Sequence, residues 1–133
     1  MTAGVSVALS MTSASAATSV GSCSKDGYYA NYSVSYHYSG GYDYIDSYNW
    51  TIGKGGSRNN VEARTKADKN FGRQDPIYDT WISGDNIRAG SGTHKVGNGV
   101  KVPGNEKMYV EFKFTFDKPN SGDPKCEGHT RNV

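Results

Sequence analysis

Two stretches of this chain alternate strictly between apolar and polar residues, and that alternation constrains the fold more than any other feature. From Tyr28 to Tyr38 the even positions are Tyr28, Ala30, Tyr32, Val34, Tyr36 and Tyr38, while the odd ones include Asn31, Ser33, Ser35 and His37. The pattern returns near the C-terminus, where Met108, Val110, Phe112, Phe114 and Phe116 alternate with Tyr109, Glu111, Lys113, Thr115 and Asp117. A period of two sends successive side chains to opposite faces of an extended strand, so each stretch reads as a strand half-buried against a core.

Shorter segments between them extend the reading. After the turn Ser39-Gly40-Gly41, residues 42–52 place Tyr42, Tyr44, Tyr48, Trp50 and Ile52 on one side. Asp46 interrupts that side and predicts a bulge or a break. Residues 60–66 carry charges where a helix would need apolar residues at three- and four-residue spacing, so strand is preferred there. Residues 77–82 form a further strand around Trp81, and residues 96–102 a glycine-broken one. The segment Lys118 to Pro124 reads as a rigid loop leading to Cys126. Turn signals at this spacing predict an all-β fold, a single antiparallel β-sandwich of roughly six to eight strands over residues 28–133.

The composition agrees. The chain has ten Tyr, four Phe and two Trp but a single Leu, at position 9. Helical cores are built mainly from Leu, Ala and Met, whereas aromatic and β-branched residues suit a pleated surface. At 133 residues there is room for one core. A net charge of +2 is too small to argue for nucleic acid, which calls for a concentrated basic face.

Residues 1–16 read as a signal-peptide-like segment, with an apolar run from Val5 to Leu9 and an Ala14-Ser15-Ala16 cleavage pattern. No basic residue precedes that run and the first charge is Lys25, which fits a start codon assigned too far downstream. No later stretch is long and apolar enough to span a membrane. Export makes pairing of the two cysteines, Cys23 and Cys126, the natural expectation. Residues 17–27, with Cys23, then read as a flexible N-terminal arm tied to the end of the domain.

Catalytic and metal-binding patterns are thin. No G-x-S-x-G motif is present, and the cysteines are committed to the bridge. A nuclease built from His37, Glu111 and Arg64 would need the three side chains together, and their spacing does not require it. His94 and His129 read as a loop and a tail residue. Asp43 and Asp46, three apart on a strand, face opposite sides rather than one cleft wall. The Asp-bearing turns at Asp85 and Asp123 lack the ligand spacing of an EF-hand. The run Asp85 to Gly90 shares only an outline with the calcium loop of crystallin-like killer toxins and departs from it at Ala89-Gly90. No cofactor or metal is expected. Two Asn-x-Ser/Thr sequons, at Asn31 and Asn49, lie inside expected strands.

The tyrosines left over from the core faces are Tyr29, Tyr42, Tyr44, Tyr78 and Tyr109, and they are the expected binding residues. Tyr offers a flat apolar ring with a polar tip at low conformational cost, which suits recognition of a protein or of a sugar face. The Ala/Ser-rich export segment, Trp50-Thr51-Ile52-Gly53-Lys54-Gly55-Gly56, and the stretch from Phe116 to Cys126 together resemble small secreted β-rich proteins of filamentous actinobacteria. In size and export the chain is also similar to the adaptor subunit of umbrella-type secreted toxin particles. These resemblances imply a secreted binding protein. An extracellular protein partner is the first expectation, a carbohydrate or cell-wall polysaccharide the second, and a small toxin or nuclease the third.

Overall fold

The computed structural model describes residues 16–69, 74–97, 99–120 and 122–133, so the signal-like segment, but for its last residue Ala16, lies outside the described residues. Among the described residues nine strands run in chain order: β1 (Ala17–Lys25), β2 (Tyr28–Ser39), β3 (Tyr42–Ile52), β4 (Asn60–Asp68), β5 (Ile77–Ile82), β6 (Gly90–Lys95), β7 (Lys101–Pro103), β8 (Lys107–Thr115) and β9 (Lys125–His129). All pair antiparallel, in two sheets. The first has the order β1-β2-β3-β6, with β7 also pairing β3, and the second the order β5-β4-β8-β9. The expected all-β sandwich is thus the fold, without helix among the described residues.

The alternating stretches supply both inner layers. Tyr32 and Val34 from β2 and Phe112 and Phe114 from β8 are essentially without solvent contact. Tyr32 stacks on Phe112 at 5.1 Å between centroids and meets Phe114 edge-on at 5.9 Å. From β3 come Ile45, Tyr48, Trp50 and Ile52, and from β4 Val61, Ala63 and Ala67. Within the second sheet the small Ala63 stands in register between Phe112 of β8 and Trp81 of β5.

The irregularity expected at Asp46 is a bulge. Tyr36 pairs with Ile45 and Ser35 with Ser47, leaving Asp46 unpaired against β2. The extra residue reverses the alternation. Tyr48, Trp50 and Ile52 therefore point inward while Tyr42 and Tyr44, which the sequence put on their side, are turned out of the core.

Three segments depart from the sequence reading. The expected arm is strand β1, paired along its length with β2 and turning Ser19, Gly21 and Cys23 inward. The chain after Cys126 is strand β9 rather than a tail, because its partner β8 has a free edge to complete. The glycine-broken strand of residues 96–102 is in fact β6, earlier in the chain and holding His94, followed by the short β7. Gly90, Gly92 and the hydroxyl residues of β6 carry little strand propensity. Pairing with β3 overrides it, and a side chain at Gly92 would collide with the indole of Trp50.

One side of the sandwich is sealed. Cys23 of β1 and Cys126 of β9 form a disulfide between the sheets, with Cα atoms 5.7 Å apart. Next to it the two backbones approach so closely that a Cβ at Gly21 would overlap the carbonyl oxygen of His129. Ser19 Oγ donates to the Arg131 carbonyl at 2.7 Å. At one end of the sandwich the buried Asn59 ties three loops together. Its amide donates to the carbonyls of Gly56 (2.9 Å) and Ile87 (2.8 Å), and its oxygen accepts from the Asp117 N–H at 2.7 Å.

The disulfide closes a loop of 103 residues. A loop near that length restricts the unfolded chain by about 4–5 kcal/mol in the chain-entropy description. The double variant Cys23→Ala/Cys126→Ala is expected to keep the strand signature in circular dichroism and to unfold at much lower urea. An unchanged urea midpoint would show that the β1–β9 contacts hold this side without the bond.

Candidate functional site

The five tyrosines singled out from the sequence fall in separate places. Tyr29, 53% exposed, stands on the outer face of the first sheet at one end, its ring packed over Gly53. Tyr42 and Tyr44 lie on that same face at the other end, with ring centroids 6.4 Å apart. The Lys101 ammonium sits 4.1 Å from the Tyr42 ring centroid and 5.8 Å from that of Tyr44. His37 stacks on Tyr44 at 5.4 Å, and its Nδ1 is 2.9 Å from Asp46 Oδ1. The histidine on the polar side of the first alternating stretch is thus held by a carboxylate at the bulge and by a ring.

Tyr78 and Tyr109 belong to the second sheet, and both use their hydroxyls. Tyr78 donates to Glu106 Oε1 at 2.7 Å, and Lys69 Nζ donates to the other oxygen at 2.6 Å. Burial, reinforced by the Glu106 hydrogen bond, pushes the Tyr78 phenol up to about 12. Tyr109 donates to Asp75 Oδ2, whose other oxygen accepts the Lys69 N–H at 3.0 Å. Around Tyr109 a concavity of about 300 Å³ is lined by Asp68, Asp75, Glu111, His129 and Asn132. Charges on this outer face are paired: Lys66 with Glu111 at 3.0 Å and Lys113 with Glu62 at 3.2 Å.

Sequence reasoning passed over the column of rings on the side away from the disulfide. Trp81 of β5 stacks on His94 of β6 at 4.2 Å and 11°, and on Trp50 of β3 at 5.4 Å and 22°. Tyr48 lies parallel to His94 at 6.3 Å. The column joins the two sheets where no backbone pairing does, since β5 and β6 are the terminal strands of their sheets. Ile77 and Ile82, 52% and 57% exposed, lie at the two ends of β5. A signal existed in the sequence: an Ile-Tyr-Asp-Thr-Trp-Ile run is apolar at both ends for a strand with only one covered face.

Beneath this column lies a small polar knot. The Tyr48 hydroxyl shares a hydrogen bond with Thr65 Oγ1 and donates to Asp79 Oδ2 at 2.6 Å. The hydroxyl of Tyr32 is buried and, among the described residues, hydrogen-bonds to nothing. Burial, then the proximity of Tyr48 and Asp79, pushes the Tyr32 phenol far above its ordinary range.

No catalytic constellation assembles from the expected residues. Arg64 and Glu111 face each other in register on the outer face of the second sheet, while His37 is on the outer face of the first. Asp43 is buried and Asp46 is turned outward to His37, on opposite faces as expected. Among the described residues no group of three or more His, Cys, Asp or Glu is arranged to hold a metal ion, and no helix is long and apolar enough to cross a membrane.

Two outcomes follow. Tyr48→Phe removes two buried hydrogen bonds and is expected to destabilise by about 1–3 kcal/mol, whereas Tyr32→Phe removes an unbonded hydroxyl and is expected to be neutral or stabilising. Urea denaturation of the two variants checks the contrast, and equal losses would contradict it. At the Tyr109 end, the phenol hydrogen bond first and the Lys69 N–H second hold the Asp75 carboxyl below its ordinary value of 3.8. Its contribution to stability is therefore full above that value and is lost as pH falls through the lowered one. In Tyr109→Phe the Asp75 carboxyl resonance is expected to titrate closer to 3.8; an unmoved titration would assign the shift elsewhere.

Compared with models of known protein families, with curated proteins and with solved structures, the chain matches none of them.

Proposed function

We infer that the chain is a secreted, non-enzymatic binding protein that joins an extracellular protein assembly through the open side of its sandwich. The observation that carries this reading is the uneven closure of the fold. The β1–β9 side is covalently sealed, whereas β5 and β6 each have a neighbour on one side only. An edge strand presents unpaired N–H and C=O groups, which a segment of another chain can complete as an added strand. Here those groups run beside Ile77, Ile82 and the Trp81–His94 stack. Exposed aliphatic side chains flanking a tryptophan fixed by its neighbours are the materials of an interface anchor.

Extracellular placement rests on the disulfide, a bond that persists in oxidising compartments, and on the cleavage pattern at Ala14-Ser15-Ala16. The same edge serves an adaptor role, because added strands propagate a sheet from one subunit to the next.

The test is capture by tagged protein from the culture supernatant of the producing organism, run beside a cell-wall fraction. Stoichiometric capture of one co-secreted protein is expected. The variant Ile77→Lys/Ile82→Lys is expected to weaken that capture by roughly tenfold or more with an unchanged thermal midpoint, since both side chains are exposed. Capture that survives the double substitution, or retention on the wall fraction alone, overturns the reading.

A further inference from the structure

The outer face of the first sheet is a second surface, chemically unlike the β5–β6 side. Its cross-strand rows are Val20–Ser33–Asn49–Thr93 and Ser22–Asn31–Thr51–Ser91, each in register across β1, β2, β3 and β6. A cleft of about 370 Å³ runs across these rows. Its outward-facing side chains are hydroxyls and amides apart from Val20, which is 51% exposed; Tyr32, Trp50 and Gly92 also line it, with Tyr32 and Trp50 buried on the inner side of the sheet.

These groups are held in place. The Asn49 amide donates to Ser35 Oγ at 3.0 Å, and its oxygen accepts from Ser47 Oγ at 3.3 Å and Thr93 Oγ1 at 3.1 Å. The Thr51 and Ser91 hydroxyls bond each other at 2.9 Å. Asn31 stands exposed opposite Thr51. Each end of this field carries rings: Tyr29 over Gly53 at one, Tyr44 with His37 stacked on it at the other. From Tyr29 to His37 strand β2 rises about 26 Å, at roughly 3.3 Å per residue.

The chemistry of the field selects among ligands. The core of a protein interface is apolar and aromatic, and here Val20 is the one exposed apolar side chain of the cleft, Tyr32 and Trp50 beneath it being buried. A polyanion needs a row of Lys or Arg to replace its counterions, and the cleft contains none. Asp46, Lys95 and Lys101 lie at the Tyr44 end, outside it. Hydroxyls and primary amides both donate and accept without charge, as do the hydroxyls of a sugar. The apolar C–H faces of a sugar ring stack on tyrosine in the way other apolar groups do. We propose that the outer face of the first sheet binds a neutral glycan chain, laid along β2 and β3 between Tyr29 and Tyr44.

This surface does not involve β5, so it stands or falls separately from the assembly reading. The test is a titration of isotopically labelled protein, followed by backbone and side-chain amide NMR, with hexasaccharides of β-linked glucose and of N-acetylglucosamine. One of them is expected to shift the amides of Tyr29, Asn31, Ser33, Asn49 and Thr51, with an affinity indifferent to added sodium chloride. Thr51→Glu, which places a charge in the middle of the field on an outward position, is expected to weaken binding roughly tenfold or more without changing the thermal midpoint. Tyr29→Ala is expected to weaken it as well. The proposal is overturned if no residue of this face responds to any of the sugars, if the shifts map to β5 and β6, or if affinity falls steeply with salt. It is equally overturned if Thr51→Glu abolishes capture of a protein partner while no sugar binds.

Discussion

The contact between Tyr32 and the Phe112–Phe114 pair sets the architecture. With one leucine in the whole sequence, the largest side chains between the sheets are rings, packed among valine, isoleucine and alanine, and rings fit only at particular angles. Small residues are buried among them: Ala63 stands in register beside Phe112, and Ala30 lies two residues from Tyr32 on the same face of β2. The same demand reaches the sealed side, where Gly128 lies against the Phe112 ring and leaves β9 free to approach β1. A core of this kind tolerates little exchange of volume, since aromatic packing is more directional than aliphatic packing. Tyr32 also brings a buried hydroxyl with no hydrogen bond among the described residues, a cost the sandwich carries to keep its central ring.

Closure of the two sides follows different physics. On the β1–β9 side it is backbone approach and a covalent bond, which permits glycine and serine but little else. On the β5–β6 side it is a stack of Trp50, Trp81 and His94, which joins the sheets through side chains and leaves both backbone edges open. The outer faces differ just as much. The second sheet is a lattice of paired charges, the first a field of neutral hydroxyls and amides. Four distinct surfaces thus surround one small core.

Much of this was legible before any coordinates. The strands β2 and β8 were written in their alternation, as was the preference for strand over helix in β4, whose charged outer residues leave a helix no apolar stripe. The disulfide followed from cysteine count and compartment. What escaped has identifiable causes. Strands β1 and β6 are rich in glycine, serine and threonine, β9 is only five residues long and carries two charges and a glycine, and each owes its extended form to a neighbour already in place. Local propensity says little when tertiary pairing decides. The tyrosines left over from the core faces were recognised as a surplus, but alternation alone could not say that Tyr78 and Tyr109 would spend their hydroxyls on Glu106 and Asp75. Nor could it bring Trp81 and His94 together, because their contact spans two sheets.

The unpaired residue at Asp46 has a wider meaning for how such a chain can change. One inserted residue inverts the facing of everything on one side of it while the strand keeps its partner and the buried half its place. Tyr42 and Tyr44 owe their outward facing to that single inversion. The strand thus carries a parity switch: gain or loss of one residue here would exchange the inward Asp43 and Ile45 for the outward Tyr42 and Tyr44, so that a ring-bearing face could arise or vanish in one step.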